Sequence, residues 1–224
     1  MQDIYVDFDI SVFTGYGIDA TNADQRWIIT GNIATTGSAA IHALGSYSEF
    51  DLENRFTVAN KATAVELIGD RLTLTNSGII EGERGIAVTG NGVTINNNHK
   101  ISGNPNEAIV LKTSPTNTTY INNFADIVAW KVAIATVSGK LHLLNRGHIT
   151  GDVKLAGGAD SITSPGTIAG EVRLGGGRDV FDATDGLVVG TVRGGRGDDV
   201  LTGGVTGDRI QGGRGDDVID GGGG

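Results

Sequence analysis

The stretch GGRGDDVLTGGVTGDRIQGGRGDDVID, residues 194–220, decides the fold that this chain is expected to adopt. It contains three nine-residue repeats that run head to tail, with Asp199, Asp208 and Asp217 at the sixth position of each repeat. Glycine at fixed intervals marks turns that need positive φ, because a residue without a Cβ adopts that conformation freely. The stretch therefore predicts short strands joined by tight glycine turns.

A looser form of the same repeat lies upstream, in LAGGADSIT (155–163) and LGGGRDVFD (174–182). These segments place Asp160 and Asp179 in the equivalent position, so that aspartates recur at intervals of 18 to 20 residues as far as Asp217. Repeats of this length, built from short β-branched runs and turns, are typical of a parallel β-helix. We predict an all-β, right-handed parallel β-helix in which each repeat forms one coil.

Asparagines follow a similar period. Asn76, Asn97 and Asn145 each stand at the start of a turn that leads into Ile and Gly. Stacked coils bring such residues into register, and asparagine side chains in register hydrogen-bond to one another. The sequence therefore predicts a ladder of asparagines along one edge, in preference to a binding site there.

Composition narrows the choice of partners. The chain has 224 residues, of which 37 are glycine and 3 are proline; its net charge is −9 and it has no cysteine. The negative charge argues against nucleic acid and for cations, and the absence of cysteine excludes disulfides and thiolate metal sites. No apolar run reaches the roughly 18 residues of a membrane span.

Because the sequence stops at Gly221–Gly224, in the opening glycines of another repeat, we read the chain as part of a longer protein.

Residues 194–224 resemble the calcium-binding repeats of the RTX (hemolysin-type) family, and residues 155–182 resemble a degenerate version of them. The resemblance implies a parallel β-roll in which Ca²⁺ lies between glycine loops one coil apart, bound by backbone carbonyls and carboxylates. It also implies type I secretion to the exterior, where calcium drives the repeats to fold. We therefore expect a β-helix over residues 1–150 that continues without a break into calcium-binding coils over residues 151–224. The expected role is structural or adhesive, with an extracellular polysaccharide or a cell surface as a further partner.

The resemblance implies three sets of calcium ligands. The first set consists of carbonyl and carboxylate oxygens of Gly195, Gly197, Asp199, Gly212, Arg214 and Asp217. The second set consists of the equivalent oxygens of Gly175, Gly177, Asp179, Gly194, Arg196 and Asp199. A third candidate set consists of those of Ala156, Gly158, Asp160, Leu174, Gly176 and Asp179. Asp208 belongs to the opposite edge of the roll, and we expect its partner loop to follow Gly224.

A polysaccharide-modifying enzyme, such as a lyase or an epimerase, is the alternative function. The segments DVK (152–154), EVR (171–173) and TVR (191–193) align so that the valines face inward and the charges form columns on the outer face. Such columns could bind uronates and abstract a proton, but we favour complementary pairing across strands. The segment Tyr16–Asp19 resembles a Tyr-Gly-Phe-Asp stretch of mannuronan epimerases, although the Pro-His that follows there is absent here.

Histidine and tryptophan give no catalytic pattern. His-Glu-x-x-His, the zinc-protease motif, is absent, because the histidines stand apart at His42, His99, His142 and His148. Trp27 and Trp130 lie in apolar strand patterns, so we interpret them as packing residues rather than as sugar platforms.

Overall fold

A computed structural model describes residues 2–6, 10–12, 16–20, 25–36, 39–45, 50–55 and 57–223. These residues contain short strands and no helix. The strands are β1 (Gln2–Val6), β2 (Ile10–Val12), β3 (Ile18–Ala20), β4 (Gln25–Ile29), β5 (Ile33–Thr35), β6 (Ala39–Gly45), β7 (Phe50–Asn54), β8 (Thr57–Gly69), β9 (Leu72–Asn76), β10 (Ile79–Thr89), β11 (Thr94–Asn97), β12 (Lys100–Gly103), β13 (Ile109–Lys112), β14 (Thr118–Asn123), β15 (Asp126–Ser138), β16 (Lys140–Asn145), β17 (His148–Lys154), β18 (Ser161–Thr163), β19 (Thr167–Ala169), β20 (Val172–Gly176), β21 (Val180–Asp182), β22 (Leu187–Val188), β23 (Thr191–Arg196), β24 (Val200–Thr202), β25 (Arg209–Arg214) and β26 (Val218–Asp220).

The strands form two parallel sheets that run the length of the described chain. The first sheet has 11 strands, in the order β1-β4-β7-β9-β11-β14-β16-β18-β21-β24-β26. The second has 15 strands, with β2-β5-β8-β10-β12-β15-β17-β20-β23-β25 as its main path. Each strand pairs with its equivalents one coil before and one coil after, so the chain is a parallel β-solenoid. The predicted all-β fold of stacked coils is confirmed.

The core is a narrow column of aliphatic side chains between the sheets. Strand β9 shows the alternation that produces it, because Leu72 and Leu74 are fully buried while the intervening threonines are partly exposed. Ile95, Ile121 and Leu143 occupy the position of Leu74 in later coils. Burial of one such side chain contributes about 1.5–3 kcal/mol to the free energy of folding. Because each coil buries these side chains against the coils on either side of it, its stability depends mainly on those neighbours.

A ladder of buried asparagines closes the turn from the first sheet to the second. Each side-chain amide donates a hydrogen bond to the side-chain oxygen of the next coil at 2.7–3.0 Å. The predicted ladder is confirmed, and it is longer than the sequence indicated. Its members are Asn54, Asn76, Asn97, Asn123, Asn145 and, at its end, Ser164.

The second sheet has two parts, which we call the first leg and the second leg. The first leg follows the asparagine ladder, and the second leg leads to the glycine loops. The register shifts between the legs, at Gly82/Arg84 in β10 and at Val128/Val132 in β15. Upstream coils therefore contribute three strand segments. In the nine-residue repeats the coil contributes only two, because residues 203–208 between β24 and β25 form no strand.

Candidate metal centre

Aspartates enter the core column at the turn from the second leg back to the first sheet. Register places Asp160 directly above Leu141, which is fully buried, and Thr119 and Val93 occupy the same position in earlier coils. From Asp160 onward this inward position is aspartate in every coil. We call Asp160, Asp179, Asp199 and Asp217 the aspartate column.

Three of the four carboxylates of the aspartate column are buried and only half satisfied. Asp160, Asp179 and Asp199 are each at most 1% exposed. Oδ1 of each accepts the backbone N–H of the residue one coil below, at 2.7 Å from Leu141, 2.8 Å from Asp160 and 2.9 Å from Asp179. Oδ2 of all three is buried and has no hydrogen-bond donor within the described part of the chain. A buried anion with an unpaired oxygen is costly, so this column needs either protons or a cation.

Burial also changes the acidity of these groups. It raises the pKa of Asp160 to about 6 and the pKa of Asp179 to about 7, against the ordinary value of 3.8. The neighbouring carboxylates of Asp160 and Asp199 raise the pKa of Asp179 further, whereas the hydrogen bond from the Asp160 N–H opposes the rise. Burial raises the pKa of Asp199 as well. Without a cation, the fold therefore opposes ionisation of Asp160, Asp179 and Asp199 by raising the pKa of each.

The carboxylate of Asp199 and the carbonyl oxygen of Gly212 converge beside Gly194, which has no side chain to come between them. A Cβ on Gly194 would overlap Oδ2 of Asp199 and would lie 2.6 Å from the carbonyl oxygen of Gly212. The structure thus brings two oxygens of the first predicted ligand set to the same small space. Gly212 has the same relation to Asp217, because a Cβ on Gly212 would overlap Oδ2 of that residue.

The other predicted carbonyl ligands lie in the glycine loops that end the second leg. Gly175, Gly195 and Gly197 have positive φ, at 100°, 124° and 126°. A Cβ on Gly197 would overlap the carbonyl oxygen of Gly177, and one on Gly195 would overlap that of Gly175. Glycine is required here because each carbonyl points along the stack at the next loop.

Some of the predicted carbonyl ligands already accept hydrogen bonds from the neighbouring coil, among them Gly176, which accepts the N–H of Gly158 at 2.8 Å. The carbonyl of Arg196 accepts the N–H of Gly177 at 2.8 Å, and that of Arg214 accepts the N–H of Gly197 at 2.7 Å. Each carbonyl oxygen has a second lone pair that remains available to a cation. A groove of about 620 Å³ passes over these loops, lined by Ala156, Gly175, Gly176, Gly195, Arg196, Gly213 and Arg214.

Asp208, on the opposite edge, also lies beside a glycine and a carbonyl oxygen, but its two carboxylate oxygens have exchanged roles relative to those of Asp199. A Cβ on Gly203 would lie 2.8 Å from Oδ2 of Asp208 and 2.5 Å from the carbonyl oxygen of Gly221. Oδ2 of Asp208 accepts the N–H of Gly204 at 2.6 Å, while Oδ1 is buried without a donor from any described residue. The carbonyl oxygen of Gly221 therefore lies close to Asp208, on a residue that precedes Gly224.

The described residues contain no group of three or more His, Cys, Asp or Glu side chains placed to hold a metal ion. The arrangement at Asp199 does not depend on such a group, since Ca²⁺ takes six to eight oxygens, many of them backbone carbonyls. The aspartate column and the glycine loops offer only oxygen ligands. Carboxylate and carbonyl oxygens suit Ca²⁺, whereas many transition metals prefer nitrogen or sulfur ligands.

The acidic and basic side chains on the outer face of the second leg contact one another. Val153, Val172 and Val192 align and are buried, as predicted. Lys154 lies 3.1 Å from Asp152, and the Nε of Arg173 donates to Glu171 at 2.7 Å. Arg193 lies against the same Glu171 and also donates to Gln211 at 2.9 Å. Only Arg193 therefore pairs across coils, with Glu171 and Gln211, whereas Lys154 and Arg173 pair with the acidic residue two positions before them, so the predicted pairing across strands holds only in part.

The remaining predicted side chains are dispersed. His42 is buried, stacks on Tyr16 and lies 2.9 Å from Asp19, whereas His142 stacks on Tyr120 in a distant coil. Trp27 packs partly buried against the core, which confirms its interpretation as a packing residue. The same interpretation is wrong for Trp130, which is 84% exposed.

No protein-family model, curated protein or solved structure matches this chain. Within the described ranges, no helix is long and apolar enough to cross a membrane. The structure therefore defines this protein as a parallel β-solenoid with a buried aspartate column.

Proposed function

We propose that this protein binds Ca²⁺ between the stacked glycine-aspartate loops, as the RTX resemblance of residues 194–224 implies. The single observation that carries the proposal is the unpaired, buried Oδ2 of Asp160, Asp179 and Asp199. A divalent cation between successive loops satisfies these oxygens and cancels the repulsion along the aspartate column. The first ligand set, around Asp199 and Asp217, has the best support because the oxygens of Gly212 and Asp199 already converge beside Gly194.

The proposal extends to how the protein is used. Cation binding that requires the folded loops stabilises them by mass action, so the coils from residue 155 onward order fully only where calcium is abundant. Such dependence suits a protein secreted by a type I pathway, which remains partly unfolded in a calcium-poor cytoplasm and completes its solenoid outside. A calcium-stabilised structural or adhesive segment is the role that we assign to it.

A calcium titration of the whole chain tests the proposal. Starting from protein in chelator at pH 7.5, added Ca²⁺ is expected to release or absorb heat, to increase the β-sheet circular dichroism and to raise the thermal midpoint. Binding is expected to release protons, because part of the aspartate column is protonated beforehand. A chain that shows no heat and an unchanged spectrum across millimolar Ca²⁺ contradicts the proposal.

Filling the space beside Asp199 tests the first ligand set directly. Gly194→Ala is expected to weaken the tightest calcium binding at least about tenfold, or about 1.4 kcal/mol, because its methyl group would occupy the space that Oδ2 of Asp199 faces. Calorimetric titration of the variant measures the change. Gly207→Ala is the matched control, since a Cβ on Gly207 meets nothing within 4 Å. Equal affinities for the two variants would remove this space from the site.

A further inference from the structure

Trp130 is displayed by a bulge on the outer face of the solenoid. Between the pairs Val128–Thr150 and Val132–Asp152, strand β15 has three residues where β17 has only Gly151. Bulges of this kind redirect a side chain and are frequent beside functional sites. The buried Ile127 and Ala129 alternate with Val128 and Trp130, so the largest side chain of the strand faces outward at the bulge, where it is 84% exposed.

Trp130 stands at one end of a groove that follows the first leg. The groove has a volume of about 950 Å³ and crosses six consecutive strands, β5, β8, β10, β12, β15 and β17. Five spacings of about 4.8 Å give it a length of roughly 24 Å. Apart from Glu81, its floor is formed by small or short side chains in register, namely Ala34, Ala59, Ser102, Val128 and Thr150.

The wall of the groove is polar and comes from the residues where the two legs meet. Lys61, Glu83 and Trp130 occupy the bulged positions of β8, β10 and β15, and Asn104 lies beside Trp130. Lys100 and Glu81 complete the charged lining. Within the described chain, no ion pair or side-chain hydrogen bond engages these two lysines or these two glutamates. Their polar groups are therefore free to contact a ligand.

We propose that this groove binds a linear, electrically neutral polysaccharide lying along the solenoid axis. A sugar ring has an apolar C–H face and a rim of hydroxyls, which matches an exposed indole beside a wall of amide, amine and carboxylate groups. The groove is open along its length, so it accepts a chain of linked units. Its charges are balanced, with two lysines and two glutamates, and a balanced lining gives no preference for a polyanion.

Other occupants fit the groove less well. A peptide that adds a strand needs a free sheet edge, whereas every strand along this floor is paired on both sides. Nucleic acid and polyuronates are polyanions, which bind where positive charge is in excess. The groove has as many glutamates as lysines, and the whole chain has a net charge of −9, so neither offers that excess.

Affinity measurements with soluble glycans test the assignment. Cello-, laminari-, malto-, manno- and chito-oligosaccharides are titrated into the whole protein by calorimetry, beside oligouronates and an unstructured peptide. We expect at least one neutral series to bind, with affinity increasing with chain length. Trp130→Ala is expected to reduce that affinity at least about tenfold. Tyr120→Ala is the matched control, because Tyr120 is an exposed aromatic residue of the first sheet, outside the groove lining.

The calcium proposal and the groove are separable in this experiment. The groove is lined by coils whose core is aliphatic, so we expect glycan binding to persist in chelator, with quenching or a shift of Trp130 fluorescence as a second signal. Binding by no neutral series, binding by oligouronates or the peptide alone, or equal loss in the Trp130 and Tyr120 variants would each overturn the assignment. None of these results depends on whether Ca²⁺ binds at Asp199.

Discussion

Asp179→Asn is expected to stabilise the metal-free protein at pH 8 and to destabilise it in calcium. Asparagine keeps the oxygen that accepts the N–H of Asp160 but carries no charge. Wild-type Asp179, with its pKa raised to about 7, contributes stability that is fully present below pH 3.8 and is lost as the pH rises through about 7. Each pKa unit corresponds to about 1.4 kcal/mol, so the difference at pH 8 amounts to a few kcal/mol.

Urea unfolding followed by circular dichroism measures this reversal. In chelator, the wild-type midpoint is expected to fall between pH 5 and pH 8, while that of Asp179→Asn changes less and lies above the wild type at pH 8. In saturating Ca²⁺ the order is reversed, because only the wild type gains the full binding energy. Asp185→Asn, which removes the same charge from an exposed turn, is the control. If the two variants behave alike in both conditions, the buried column is not the cation site.

Asn97→Ala is expected to cost about 2–5 kcal/mol of unfolding free energy. The Asn97 side chain is fully buried, accepts a hydrogen bond from Asn76 at 2.8 Å and donates to Asn123 at 2.7 Å and to the Asp126 carbonyl at 3.0 Å. Its removal leaves a buried donor and buried acceptors unpaired and creates a cavity, both of which are among the most destabilising changes.

The adjacent Asn98 provides the control for this second variant. Asn98 is exposed, and Asn98→Ala is expected to change the unfolding free energy by no more than about 0.5 kcal/mol. Chemical unfolding of both variants in chelator compares them without any contribution from calcium. A loss below about 1 kcal/mol for Asn97→Ala would mean that the asparagine ladder does not support the coils.

The repeats made much of this architecture predictable. The spacing of 18 to 20 residues between aspartates predicts the coil length, and the similar segments around Val153, Val172 and Val192, which lie 19 and 20 residues apart, predict that these valines align. Asn123 escaped notice because it lies 26 residues after Asn97, in a longer coil that breaks the period of 21 residues between Asn76 and Asn97. A ladder is easily found by counting only where the coils have equal length.

Two features could not be read from local pattern. The glycine-aspartate motif suggests a loop, and nothing in it reveals that its carboxylate occupies the core position held by Leu141 one coil earlier; that equivalence appears only from the strand register. In IVAWKVAIA, alternation counted from Ile127 points Trp130 outward, whereas alternation counted back from Ile134 points it inward, so the pattern alone does not decide its side. The bulge at residues 129–131, opposite Gly151 alone, accounts for this change of phase within the strand.

The replacement of leucine by aspartate between Leu141 and Asp160 gives assembly of the solenoid a direction. Coils with a hydrocarbon interior can order by burial alone and form a seed that exists before any ion arrives. The first carboxylate rung, Asp160, then joins a finished surface through the N–H of Leu141. If the proposed cation binds between the loops, each coil that has bound its ion becomes the template for the next, so folding is expected to proceed from residue 141 toward residue 217 and not in the opposite direction.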